Sequence, residues 1–278
     1  MIRCRQMSLP ELRMVLGWAA EEGWNPGKDD AEAFWAADPD GFFVAEEDGE
    51  PIAAISVVVH SPDFAFLGLY ICRPSHRGRG VGLALWRHGI THAGNRTIGL
   101  DGVPEQQAKY ARSGFRHAGE TVRYVGQLDT RRSDNVRPAT PDDVSALVAL
   151  EARASGWSKP AYLAAWVSGT PTRTTYVLES GHEILGFATL RACQSGAKVG
   201  PLIAPTDQMA MALLRHATAM AHTDVTIDIS DQADAFADMC QAQGLAPGFR
   251  TARMYRGIAR PDRGQSAMLY GVTTLELG

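Results

Sequence analysis

Apolar and polar positions follow two periods along this chain, and the order of elements in the first half returns in the second. Residues 9–20 place apolar side chains at helical spacing. Ser8, Pro10 and Glu11 mark the start of that helix, with Glu11 three residues after Ser8 in capping-box spacing. Residues 142–153 repeat the pattern behind Thr140-Pro141-Asp142-Asp143, an N-cap threonine with a first-turn proline and acids at the positive dipole end. Phe42-Phe43-Val44-Ala45, the turn Asp48-Gly49 and Ile52-Ala53-Ala54-Ile55 predict a hairpin. Thr175-Tyr176-Val177-Leu178, Ser180-Gly181-His182-Glu183 and Ile184-Leu185-Gly186-Phe187 predict a second one. Residues 64–72 read as a buried strand ended by Arg73-Pro74. A helical pattern follows from Leu83 to about Ala93, then a strand at 97–100 and a helix at 105–113.

The correspondence runs to the end of each half. Ile98-Gly99-Leu100-Asp101 matches Thr226-Ile227-Asp228, and Ser113-Gly114-Phe115 matches Gln243-Gly244-Leu245. The offset stays about 130 residues, which reads as two copies of one domain rather than a short-period solenoid. The expected division is 1–129, a polar linker at 130–135, and 136–278. Each copy predicts a helix, two or three antiparallel strands, then strand, helix, strand, helix and strand. The fold class is α/β: a mixed, mainly antiparallel sheet flanked by helices, present as two tandem domains. The run 268–277 reads as one further strand pairing across the halves, so deleting residues 266–278 is expected to lower the melting temperature.

The chemistry concentrates in one loop. Ser75-His76-Arg77-Gly78-Arg79-Gly80-Val81-Gly82 joins the strand at 64–72 to the next helix. A helix N-terminus offers free N–H groups to an anion, glycine lets the backbone approach it, and arginine adds bidentate positive charge. The expected ligand is a phosphate or pyrophosphate. No Lys-Ser or Lys-Thr follows the glycines, which excludes a Walker A loop. The last position of a dinucleotide fingerprint falls on Leu83 or Leu85, which excludes that motif too.

The spacing R-x-x-G-x-G resembles the pyrophosphate loop of the GNAT superfamily of N-acetyltransferases. Tyr110-Ala111-Arg112-Ser113-Gly114-Phe115 extends the resemblance, which covers most of residues 2–128. The double layout resembles a tandem two-domain subgroup with a degenerate second domain. The resemblance implies an acyl-CoA-dependent acetyltransferase acting by direct attack of an amine on acetyl-CoA. It implies pyrophosphate held by Arg77, Gly78, Arg79, Gly80, Val81 and Gly82, and the pantetheine arm by the backbone of Tyr70 and Cys72. It implies Tyr110 as the acid that protonates the departing thiolate. Glu22, Trp24 and Asn25 would border the acceptor, although Trp157 at the matching place in the second copy favours a packing role for Trp24. The proton acceptor stays open among Glu22, His60, Asp63 and Asp101. Asp228, the counterpart of Asp101, makes a structural role for Asp101 equally good.

Other features weigh toward bland roles. Phe34, Trp35, Phe42 and Phe43 are expected mainly in the core. His88 and His92 stand four apart, but Gly89 occupies the place of the HExxH glutamate, so no metal site is expected. Cys4, Cys72, Cys193 and Cys240 form no CxxC pair. The second copy has Lys198-Val199-Gly200-Pro201-Leu202-Ile203-Ala204-Pro205-Thr206-Asp207 where the first has its glycine loop, and no tyrosine falls at residues 236–243. That copy is expected to bind no phosphate and to shape the acceptor site or support the first.

Net charge is −4, with hydrophobic residues at 45%, the profile of a globular protein without a nucleic-acid partner. No apolar stretch reaches the roughly 20 residues that span a membrane, and no secretory leader is evident. The expectation is a cytoplasmic enzyme with a small-molecule amine substrate and no membrane partner, its oligomeric state left open. The competing reading is a non-catalytic acyl-CoA sensor or interaction module.

Overall fold

The computed structural model describes residues 2–181, 183–219, 221, 223–257 and 269–278. The first repeat contains β1 (Ile2–Gln6), α1 (Leu9–Glu21), α2 (Asp30–Ala37), β2 (Phe42–Glu47), β3 (Glu50–Val59) and β4 (Phe64–Cys72). It continues through α3 (Val81–Gly89), β5 (Thr97–Gly102), α4 (Pro104–Arg112) and β6 (Arg116–Gly126). The second contains β7 (Val136–Pro138), α5 (Val144–Ser155), α6 (Pro160–Val167), β8 (Arg173–Ser180), β9 (Glu183–Ala192) and β10 (Ala197–Ile203). It continues through α7 (Asp207–Thr218), β11 (Val225–Ser230), α8 (Asp234–Ala242) and β12 (Leu245–Arg256), and ends with β13 (Leu269–Gly271).

Local chemistry sets the boundaries. The Ser8 backbone N–H donates to Glu11 Oε2 at 2.7 Å, closing the expected capping box at α1. The β2–β3 turn uses Asp48 at φ 54° and Gly49 at φ 89°, the left-handed pair of a tight hairpin. Thr140 and Asp143 make a similar box, but the chain first takes a 3-10 turn at Pro141–Asp143 before α5 begins. Two helices, α2 and α6, lie outside the sequence expectation. Both are eight residues long and mostly apolar, too short to show a clear amphipathic stripe.

The thirteen strands form one continuous sheet among the described residues, in the order β1-β2-β3-β4-β5-β12-β6-β11-β13-β10-β9-β8-β7. The last long strand of each repeat is exchanged. β12 of the second repeat pairs with β5 of the first, from Ala252↔Gly102 to Arg256↔Ile98. β6 of the first pairs with β11 of the second, from Val225↔Gly126 to Ser230↔Thr121. β6 and β12 also pair with each other at the centre. Backbone ladders therefore cross the expected boundary at 130–135.

Side chains lock the exchange. Helices α1, α2, α5 and α6 share one apolar core on one sheet face, with Phe34 stacked on Trp166 at 6.0 Å between ring centres. On the other face, α3 and α4 cover the first repeat, and α7 and α8 cover the second. Phe34, Phe42 and Phe43 are buried, as expected of core residues. Buried Asp30 pairs with Arg173 and Arg191 at 3.3 Å each, joining the repeats through a charged cluster. The terminal strand is short. β13 pairs with β10 and β11 of its own repeat, not with first-repeat strands, and Met268 lies outside the described residues. No helix among the described residues is long and apolar enough to cross a membrane.

Candidate active site

The site is built where two parallel strands part. β4 and β5 pair from Phe64↔Thr97 to Leu67↔Leu100, and the ladder stops there. Beyond that point β4 bulges. Its register against β3 shifts between Ala54 and Ser56, and Leu69 takes φ 45°, an uncommon conformation for a residue with a side chain. The parted strands open into a cleft of about 1040 Å³.

One wall is the glycine loop. Gly78 and Gly80 sit at φ 77° and 79°, and no atom lies within 4 Å of where a Cβ would stand on either. Gly80 is the N-cap of α3, so the first N–H groups of that helix face the cleft mouth without a side chain over them. Gly82 is different: a Cβ there would stand 2.7 Å from the Tyr70 hydroxyl, which packs the helix onto β4. Arg77 lines the cleft, donates from Nε to the Cys72 carbonyl at 2.9 Å, and pairs with Glu22. Arg79 is not among the lining residues; it pairs with Glu47 at 2.7 Å. Tyr70, Cys72, Gly78, Gly80, Val81 and Gly82 all line the cleft.

The cleft also carries Tyr110. Its ring stacks on Trp86 at 5.5 Å and meets Phe115 edge-on. Burial, with Tyr70 beside it, pushes its hydroxyl well above the ordinary tyrosine range. Burial raises Tyr70 to about 12. Tyr110 is thus a protonated donor at neutral pH.

Sequence reasoning offered four proton acceptors, and the structure separates them. Asp101 lines the cleft, but Arg253 on β12 grips both its oxygens, at 2.9 and 2.7 Å. Burial pushes the Asp101 carboxyl upward against the pull of Arg253. Glu22 lines the cleft and is held by Arg77. His60 does not line it. Its Nε2 meets the Leu277 carbonyl at 2.9 Å, its ring lies between Phe64 and Tyr162, and burial drives it down to about 3. His60 therefore stands apart from substrates in this cleft. Asp63 is exposed in the turn after β3, bonded to Ser61, and also stands outside. Trp24 lines the cleft, whereas Asn25 turns away to Ser195 of the second repeat, at 2.7 and 3.2 Å. His92 pairs with Asp38 at 2.7 Å, and His88 meets the edge of Phe43.

The second repeat supplies lining residues that the sequence did not point to. Phe249, Arg250 and Thr251 come from β12, and Leu275 and Glu276 from the terminal segment. The β12 residues reach the first repeat's cleft through the strand exchange, which leaves no periodic signal, and Leu275 and Glu276 reach it from the segment after β13.

The equivalent opening in the second repeat is closed. β10 and β11 pair in parallel from Ala197↔Val225 to Val199↔Ile227, and β13 then enters between them. Val272 and Thr273 carbonyls fill the space beside Gly200. Cys240 stands on α8 where Tyr110 stands on α4, fully buried and raised by burial to about 12.

A bulged strand parted from its parallel neighbour, beside a bare helix N-terminus reached through a glycine loop, defines an acyl-CoA N-acyltransferase fold. The comparisons agree. The description "Acetyltransferase (GNAT) family" matches residues 9–115, and "Acetyltransferase (GNAT) domain" matches residues 147–271. The chain is 33% identical over 277 residues to holothin acyltransferase of Pseudoalteromonas sp. (strain SANK 73390), covering 98% of this chain and 92% of that one. The chain belongs to the GNAT acetyltransferase family, as a tandem member. Among solved structures, one from Pyrococcus horikoshii assigned as an acetyltransferase superposes with a TM-score of 0.81 at 19% identity, over 100% of this chain and 96% of that one. A tandem GNAT protein of the clavulanic acid biosynthesis pathway gives 0.64 at 14% identity, over 94% and 100%. These two share the fold. The family uses acyl-CoA, and its chemistry is acyl transfer.

Proposed function

We propose that this protein transfers an acetyl group from acetyl-CoA to the amine of a small molecule, by direct attack and without a covalent enzyme intermediate. One observation carries the reading: the glycine loop and Tyr110 face one open cleft in the first repeat, while the matching cleft is filled by β13. The residues present suit an acyl-CoA. The open N–H groups around Gly78, Gly80 and Val81 would hold the pyrophosphate, with Arg77 beside them. Past Leu67, β4 has no β5 partner, so its backbone through Tyr70 and Cys72 is available to the pantetheine amides. A free N–H there would also polarise the thioester carbonyl. Tyr110 would give its proton to the departing sulfur.

The acceptor enters from the side formed by Trp24 and the second repeat's residues. A net charge of −4 favours a small amine over a nucleic acid. The similarity to holothin acyltransferase spans both halves and supports a small-molecule acceptor.

Thiol release from acetyl-CoA with a panel of primary amines tests this reading. Turnover is expected with at least one amine. Arg77→Ala/Arg79→Ala is expected to raise KM for acetyl-CoA about tenfold or more, in line with the loss of charge-assisted phosphate contacts. Bound acetyl-CoA without thiol release from any amine would point to a binding module instead.

A further inference from the structure

Four acidic residues line the cleft: Glu22, Asp101, Glu105 and Glu276. Three are spoken for or poorly placed. Glu22 is paired with Arg77, Asp101 is chelated by Arg253, and Glu105 is exposed in the first turn of α4. Glu276 differs from all of them. It is 6% exposed, and its carboxylate enters no ion pair with a described residue.

The main chain fixes its place. The Glu276 carbonyl fills the space where a Cβ on Gly68 would stand, at the bulge where β4 leaves β5. The segment is held on both sides of that contact. Leu277 N–H donates to Thr274 Oγ1 at 3.0 Å, and the Leu277 carbonyl meets His60 Nε2. Glu276 thus belongs to the second repeat in sequence and to the floor of the first repeat's cleft in space.

The charges around it leave it available. Arg123, Lys198 and Arg191 interact electrostatically with Glu276, and each has a nearer partner. Arg123 grips Asp228 at 2.7 and 2.9 Å, Lys198 Nζ donates to the Trp24 carbonyl at 2.7 Å, and Arg191 faces Asp30 at 3.3 Å. Arg123 also ties this carboxylate to the aromatic part of the cleft. Its guanidinium lies 5.4 Å from the Phe249 ring and 3.4 Å from the Trp24 carbonyl.

We propose that Glu276 receives the acceptor's ammonium and takes its proton, and that the acceptor is a primary amine with a flat apolar body lying along Trp24 and Phe249. This rests on the acetyl-transfer reading above. One ammonium proton passes to a Glu276 oxygen. The freed nitrogen forms the C–N bond as the C–S bond breaks, and Tyr110 donates a proton to the sulfur. The new amide sheds one proton, which restores Tyr110, and Glu276 returns its own to solvent.

The test uses the full chain with acetyl-CoA and tryptamine as the probe amine. Calorimetry gives Kd for acetyl-CoA, and thiol release gives kcat and KM from pH 6 to pH 10. Glu276→Gln is expected to keep Kd and lower kcat about 100-fold at pH 7, the usual scale of general-base loss. Its rate is expected to climb steadily with pH as solvent takes over the proton. Glu276→Asp is expected to recover part of kcat and the wild-type shape of the profile. A Glu276→Gln variant with wild-type kcat and profile overturns the assignment. Wild type that binds acetyl-CoA yet releases no thiol with tryptamine overturns the acceptor class. Wild type that binds no acetyl-CoA removes the acetyl-transfer reading itself, and this proposal with it.

Discussion

Arg253 of the second repeat closes on Asp101 of the first with two hydrogen bonds, and Arg123 of the first closes on Asp228 of the second in the same way. The two ion pairs are copies of one another. Each aspartate directly follows the last parallel-paired residue of its strand, Leu100 or Ile227, and each arginine lies on the strand exchanged from the other repeat. The reciprocity ties the repeats to one another at the sheet's centre. Their surroundings are unequal. Asp228 is held below the ordinary carboxylate range: burial opposes this, but Arg123, Lys198 and Arg191 outweigh it. Asp101 is pushed up by burial, with Asp228 adding to the push, against the pull of Arg253 and Lys159.

Replacing Arg253 should therefore cost more than an exposed arginine would. The Asp101 side chain is fully buried, and Arg253→Met leaves its charge uncompensated. The expected loss is about 3–5 kcal/mol of unfolding free energy. Urea denaturation checks the value, and Arg253→Met/Asp101→Leu should recover most of it. A single variant within about 0.5 kcal/mol of wild type, the range of ordinary surface substitutions, would contradict this.

Gly68 tests the seating of the terminal segment. Its Cβ position is occupied by the Glu276 carbonyl, so Gly68→Ala must shift β4 or the segment. A strained insertion of this kind costs about 1–3 kcal/mol. Lower activity with a lower melting temperature is expected. Gly78→Ala meets no atom within 4 Å, and its cost arises only from the positive φ. A Gly68→Ala protein as stable and active as wild type would show that the segment is not lodged there.

Tyr110→Phe separates catalysis from binding. The ring contacts with Trp86 and Phe115 survive the change, so folding and acetyl-CoA affinity should hold. Loss of the proton donor should lower kcat about 100-fold. Steady-state kinetics beside calorimetry reads both, and an unchanged kcat would remove Tyr110 from the reaction.

His60 predicts a pH dependence of stability. Burial lowers its folded-state value from 6.5 to about 3, so between those values the unfolded chain binds the extra proton. Its stabilising share is complete above pH 6.5 and is lost as pH falls toward 3. His60→Gln should flatten the decline between pH 7 and pH 5 in urea midpoints. An identical slope in both proteins would assign the decline to other groups.

Much of this was legible in the sequence because local chemistry wrote it. Phe64 to Cys72 form the expected strand, Ser8 and Glu11 the expected cap, and the glycines after Arg77 the expected loop. The exchange of β6 and β12 was not legible. Each strand has the same alternation whichever neighbour it pairs with, and the choice is made by tertiary partners such as Arg253 and Asp101. Glu276 was hidden for the same reason: a glutamate in a short terminal run carries no period or motif. His60 shows the converse. Its residue type suited a base, but its place behind Phe64, against Leu277, is set by packing.

The central claim is one acyl-CoA site per chain, formed by the first repeat's loop and absent from the second, where β13 fills the opening. Calorimetric titration with acetyl-CoA measures this directly. The account predicts a stoichiometry of one, abolished or strongly weakened by Arg77→Ala/Arg79→Ala and untouched by Asp207→Asn at the start of α7. A stoichiometry of two, or binding that survives the double arginine change at full strength, would contradict it.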